Sequence, residues 1–175
     1  MDVQASARSL ATLAVLAVLF VVGVAWAWSA VTEPFPEPAE SPSCVDEELT
    51  AGSRLRPGDV LVNVMNSGGR EGLARDTIDA LVRQGFGEGA RGNATAVPGG
   101  PRGPQVWTSD PSSPAAELVA AYLGPDARIV EQTTAEEGIT IVVGDSFPGV
   151  VQGPRSVRVE QDAVVCAPYD PQVDG

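Results

Sequence analysis

The sequence predicts an α/β (α+β) two-layer domain, with two helices packed on one mixed sheet, preceded by one transmembrane helix. Three observations lead there. Leu10–Trp28 runs for 19 residues without a charge. Asp59–Gln84 reads as a strand, a glycine turn and an amphipathic helix. The remainder alternates short β-rich runs with one further helical period, the pattern of helices layered on a sheet. At 175 residues the chain has room for one modest domain plus extras.

The N-terminal stretch sets the expected location. Nineteen uncharged residues just suffice for a membrane helix at about 1.5 Å per residue. Trp26 and Trp28 close the run, where indoles favour the membrane interface. Arg8 precedes it, and Glu33, Glu37 and Glu40 follow, which orients the N-terminus inside and the remainder outside. Ala25-Trp26-Ala27 also fits a signal-peptidase site. The run is long for a signal h-region, so an uncleaved anchor is favoured. Residues 32–43, TEPFPEPAESPS, form a spacer stiffened by proline. The boundaries read as a cytoplasmic tail (1–9), an anchor (10–31), a Pro/Glu-rich linker with an N-terminal extension (32–57), the domain (58–150) and a C-terminal extension (151–175).

The domain opens with Leu61, Val62, Val64 and Met65, an apolar run suited to a strand covered on both faces. Asn66-Ser67-Gly68-Gly69 breaks it. Ala74, Ile78, Leu81 and Val82 then share one helical face, with Arg75, Asp76, Asp79 and Arg83 opposite. Gly85 is placed as a left-handed cap, with Phe86 folding back on Leu81. Gly87–Pro104 is too rich in Gly and Pro for a stable element, apart from a short strand near Ala94–Val97. Gln105–Trp107 is a short strand. Ser113 and Pro114 start a second helix as N-cap and first helical residue, and Ala115, Leu118, Val119 and Tyr122 form its apolar face. Ala127–Glu131 and Gly138–Val143 are further strands. Val157–Glu160 and Ala163–Cys166 suggest a terminal hairpin. The two cysteines of an exported chain, Cys44 and Cys166, are expected to form a disulfide that clamps the domain.

Composition narrows the chemistry. The chain has no histidine and no lysine, so every cation is arginine. That removes histidine bases and metal ligands, Schiff-base lysines and P-loop lysines, and no catalytic residue, metal site or cofactor is assigned. The net charge of −12 lies outside the expected anchor, and such a field disfavours nucleic acid.

The candidate binding site is the glycine turn, Asn66, Ser67, Gly68, Gly69 and Arg70. A strand, glycines and a helix N-terminus can present free N–H groups to an anion. The turn matches neither G-x-G-x-x-G nor a P-loop. It reads as a structural turn, or as an edge for a phosphate or carboxylate of an envelope component. The rival catalytic candidates are Asp145, beside Ser146, and Glu136-Glu137. Without histidine, such a site would need paired acids or an oxygen-held metal.

The order of these motifs resembles the LytR C-terminal domain family. Val62, Val64, Asn66, Gly72, Leu73, Ala74, Gly85, Phe86, Asn93, Ala94, Leu123, Gly124, Val142, Val143, Gly144, Asp145 and Phe147 carry the resemblance. With one N-terminal span, the layout is similar to that of actinobacterial envelope integrity proteins. The resemblance implies a module outside the membrane that supports the envelope by binding a cell-envelope glycopolymer or an envelope protein. The module often follows a phosphotransferase domain, for which this chain leaves no room, so transferase activity is not carried over. The alternative is a carboxylate-dependent hydrolase or transferase acting on cell wall glycopolymers. The sequence departs from the family pattern at GEGARG and at the short strand QVWT.

Overall fold

The computed structural model describes residues 3–32, 44–94 and 102–169, and in the first stretch the side chains of 12–24, 26 and 28. The chain divides into two compact units, Met1–Glu40 and Ser41–Gly175. The first contains helix α1, Val3–Thr32. Its apolar side chains, among them Leu13, Leu16, Phe20 and Val24, are exposed. Among the described residues no helix is long and apolar enough to cross a membrane. The expected span Leu10–Trp28 is thus helical, but several of its side chains lie outside the described residues. The proline spacer lies outside them too, apart from Thr32 at the end of α1.

The second unit is built on a five-stranded mixed sheet. Its strands are β3 (Leu61–Asn66), β4 (Gly87–Asn93), β5 (Gln105–Thr108), β6 (Arg128–Glu131) and β7 (Ile139–Val143), in the order β4-β3-β7-β5-β6. β3 runs parallel to β4 and β7, while β5 is antiparallel to β7 and parallel to β6. Helix α2 (Leu73–Arg83) joins β3 to β4, and α3 (Pro114–Leu123) joins β5 to β6. These two crossovers run in opposite directions on opposite sides of the sheet centre. Right-handed connections therefore place both helices on one face. One apolar cluster takes Ile78 and Leu81 from α2, Leu118 and Val119 from α3, and Val62, Val64, Ile141 and Val143 from the sheet. Each such buried side chain contributes about 1.5–3 kcal/mol relative to exposure.

Several sequence expectations hold in detail. Ala115, Leu118, Val119 and Tyr122 are all buried. Gly85 has φ 101°. Phe86 N–H donates to Leu81 O at 3.2 Å and Gly85 N–H to Val82 O at 2.9 Å, the paired bonds of a Schellman end. The Phe86 ring then meets Tyr122 edge-on at 5.0 Å, which ties the end of α2 to α3. Cys44 and Cys166 are joined, with Cα atoms 5.3 Å apart.

Other expectations are corrected. Gly87–Asn93, read as loop, is edge strand β4. Its backbone hydrogen-bonds to β3, which requires no side-chain propensity. The ladder shifts register between Val62 and Val64, and there Ala90 N–H donates to the buried Asn63 Oδ1 at 2.7 Å. A Cβ on Gly89 would overlap that oxygen, so glycine is required at this position. Of the short strand expected near Ala94–Val97, Ala94 lies outside any strand and the rest falls outside the described residues. On α2, Val82 is exposed and Thr77 takes the buried position, its hydroxyl donating to Leu73 O at 2.7 Å. The terminal hairpin does not form. β8 (Val157–Arg158) pairs with β2 (Arg54–Leu55), and β9 (Ala163–Pro168) pairs antiparallel with β1 (Cys44–Leu49). Hence β1 and β2 lie in the stretch read as linker and extension, and the 3-10 turn Pro57–Asp59 straddles its end. They belong to the same compact unit as the sheet.

Candidate functional site

The five predicted site residues come together at the C-terminal ends of β3 and β7. Open α/β sheets bind ligands at this end of parallel strands. Asn66 organises the turn through both ends of its amide. Its Oδ1 accepts from Gly68 N–H at 2.9 Å, and its Nδ2 donates to Arg70 O at 2.8 Å. Ser67 fastens the turn to β7, donating to Val143 O from its backbone N–H at 2.9 Å and from its hydroxyl at 3.1 Å.

The turn does present two free amides, and Asp145 fills the place they define. Gly69 N–H donates to Asp145 Oδ2 at 3.1 Å and Arg70 N–H to Oδ1 at 2.9 Å. The Arg70 guanidinium continues to Phe147 O at 3.3 Å. The two amides, Gly69 first and then Arg70, hold the Asp145 carboxyl below the usual carboxylate range, and the Arg70 charge acts in the same direction. A Cβ on Gly68 would overlap Asp145 Oδ1, so the approach also requires a glycine. The arrangement is an internal clasp, in which a carboxylate from the loop after β7 sits where an external phosphate or carboxylate would sit.

A family model, described as LytR cell envelope-related transcriptional attenuator, matches residues 59–147. The chain belongs to the LytR_C family. The matched LytR_C segment contains the whole clasp, from Asn66 to Phe147, and leaves the β1–β9 ribbon and its disulfide outside. No curated protein matches. Among solved structures, the chain is similar to the soluble domain of a conserved hypothetical secreted protein from Mycobacterium marinum. That match has 23% identity and a TM-score of 0.45, and covers 59% of this chain and 68% of that one.

The rival acids do not meet in this LytR_C domain. Asp145 follows β7, whereas Glu136 and Glu137 precede it. The five-residue strand between them spans about 17 Å at about 3.3 Å per residue. Acid–base carboxylate pairs work at roughly 5–10 Å. Ser146 donates its hydroxyl to Arg102 O at 3.2 Å. Glu137 carries structure instead, since its carbonyl accepts from Asn63 Nδ2 at 2.6 Å. Among the described residues, one group of three has metal-ligand proximity, namely Cys44, Cys166 and Glu137. The two sulfurs there are bonded to each other, so neither is a thiolate ligand.

The sequence reading missed Arg128. Arg102 and Arg128 flank a cleft of about 330 Å³ with Gly103 and Asp126, at the β5–β6 side of the same sheet end as the clasp. Arg128 opens β6 and pairs in register with Gln105, but nothing in a four-residue strand flagged its charge as part of a site. Among the described residues this cleft thus brings two arginines and the carboxylate of Asp126 together beside the clasp.

Proposed function

We propose that this LytR_C chain is a non-catalytic module, anchored by its N-terminal helix outside the membrane, that supports the cell envelope by binding an envelope polymer or an envelope protein. The clasp carries this reading. The turn that resembles an anion seat is closed by the chain's own Asp145, and the rival acids Glu136 and Glu137 lie at the other end of β7. What remains at this end is a binding edge, formed by Arg70, Arg102 and Arg128. The disulfide supports an oxidising compartment. The uncharged run Leu10–Trp28, exposed around the described part of its helix, supports an anchor with the N-terminus inside. The net charge of −12 opposes nucleic acid as the partner, and no cofactor is invoked.

The test uses the full chain in detergent micelles, incubated with purified peptidoglycan carrying its attached glycopolymers. The expected result is co-sedimentation with no soluble product released, weakened in the double variant Arg102→Ala/Arg128→Ala. Release of product, lost in Asp145→Ala, would replace this reading with a carboxylate-dependent hydrolase or transferase.

A further inference from the structure

A second site lies at the opposite end of the sheet. A cavity of about 200 Å³ opens between the β1–β9 ribbon, the N-terminal ends of β3 and β7, and the start of α3. Leu61, Ile139 and Val165 give it an apolar floor. Its polar wall holds hydrogen-bonding groups of both kinds.

The donors come from the start of α3. The first backbone N–H groups of a helix have no partner within it. Pro114 has none to offer, and Glu117 N–H already reaches Ser113 O at 3.2 Å. Among the described residues the amides of Ala115 and Ala116 remain, and of the two residues Ala115 lines the cavity. A serine N-cap ordinarily turns its hydroxyl onto such amides. Ser113 makes no such bond. It lines the cavity at 8% exposure, and among the described residues its hydroxyl has no hydrogen-bond partner. The hydroxyl is open to the cavity, where it can donate to or accept from an oxygen that enters.

The acceptors face these donors. Asp110 lines the cavity with one carboxylate oxygen fixed by Ser112, through its N–H at 2.9 Å and its hydroxyl at 2.6 Å. Its other oxygen is not engaged among the described residues. Asp46 adds an exposed carboxylate from the ribbon. The two carboxylates repel an anion, and the helix N-terminus opposes a cation. A neutral ligand whose hydroxyls both donate and accept satisfies both sets. The volume equals roughly six or seven waters at about 30 Å³ each, the scale of one ring rather than of an extended chain. Past Asp110 a second groove, of about 350 Å³, continues along Pro114 and Glu117 towards Arg158, so a longer chain has an exit.

We propose that this cavity seats one uncharged sugar ring of an envelope polysaccharide. Ser113 and the α3 amides donate to a ring hydroxyl, Asp110 and Asp46 accept from others, and the apolar floor takes the C–H face. The inference rests on the polymer-binding reading above and gives it a subsite.

Saturation-transfer difference NMR on the full chain in micelles tests it. Methyl glucoside and N-acetylglucosamine serve as neutral probes, with glucuronate and glucosamine as their charged counterparts. The expected result is saturation of the neutral sugars, at least about tenfold weaker for the charged ones. Ser113→Ala weakens transfer about tenfold, the scale of one buried hydrogen bond. Ser113→Thr, which keeps the hydroxyl, retains it. Ser109→Trp, at the exposed lip of the cavity, abolishes it with the melting temperature unchanged. No transfer to the neutral sugars at about 10 mM, equal transfer to the charged ones, or transfer surviving Ser109→Trp would overturn the subsite. If peptidoglycan co-sedimentation persists in that event, the polymer-binding reading stands and only the subsite falls.

Discussion

Removing the disulfide tests how the domain is held. Cys44 and Cys166 are separated by 122 residues, so the bond closes a loop that contains almost the whole sheet. In the chain-entropy model, a loop of that length contributes about 0.6 kcal/mol plus about 4.3 kcal/mol, close to 5 kcal/mol in all. Other contacts hold the same ribbon in place. β1 and β9 form six backbone pairs, and Leu49 and Val165 are buried in the common core. The double variant Cys44→Ser/Cys166→Ser is therefore expected to fold to the same structure and lose about 2–5 kcal/mol, mostly through a freer unfolded chain. For a unit of this size, at about 3.5 °C per kcal/mol, the loss corresponds to a fall in melting temperature of roughly 7–18 °C. Urea unfolding of the full chain in micelles, compared between parent and variant, measures it. A loss below about 1 kcal/mol would refute the reasoning, because the ribbon would then persist in the unfolded state or the oxidised form would be strained.

Four further outcomes follow from single contacts. Gly68→Ala should destabilise by about 1–3 kcal/mol, because its Cβ meets Asp145. Asp145→Gly should relieve much of that cost, and a double-mutant cycle by urea unfolding shows whether the two positions couple. The folded state holds the Asp145 carboxyl below its ordinary range, so the clasp contributes stability above that range and loses it as pH falls through the depressed value. Urea midpoints measured from pH 7 down to about pH 3 should therefore fall less steeply in Asp145→Asn than in the parent. Tyr122→Phe removes a 2.8 Å bond from its hydroxyl to Pro154 O and should cost about 1 kcal/mol at equilibrium. Leu118→Ala leaves a void under α3 and should cost about 2–5 kcal/mol by the same measurement.

Legibility in the sequence followed the range of the interactions. α2 and α3 could be read because their apolar periods, Gly85 and Pro114 act within a few residues. β3 and β7 could be read because strands buried by both neighbours must be apolar. β4 could not, because an edge strand is held by the backbone of its neighbour, and its glycines answer to Asn63 and to Pro168, far off in the chain. β8 and β9 were given the nearest partner, each other, although both pair with segments over 100 residues upstream. Burial of Thr77 instead of Val82 was hidden because a threonine that bonds back to Leu73 O carries no exposed polar group.

The same rule explains why the glycine turn was legible as a shape but not as a site. Asn66, Gly68 and Arg70 are local, and their geometry was implicit in the turn. The ligand of that turn is Asp145, 75 residues beyond Arg70. A carboxylate donated in cis is present at an effective concentration far above any free anion, and rigid placement by β7 removes most of the ordering cost. An external phosphate would have to displace a charge already matched to both amides and to Arg70. The glycine turn therefore serves to fasten the β3–α2 corner to β7. Under the two proposals above, binding falls to Arg102 and Arg128 beside the clasp and to the Ser113 hydroxyl at the far end of the sheet.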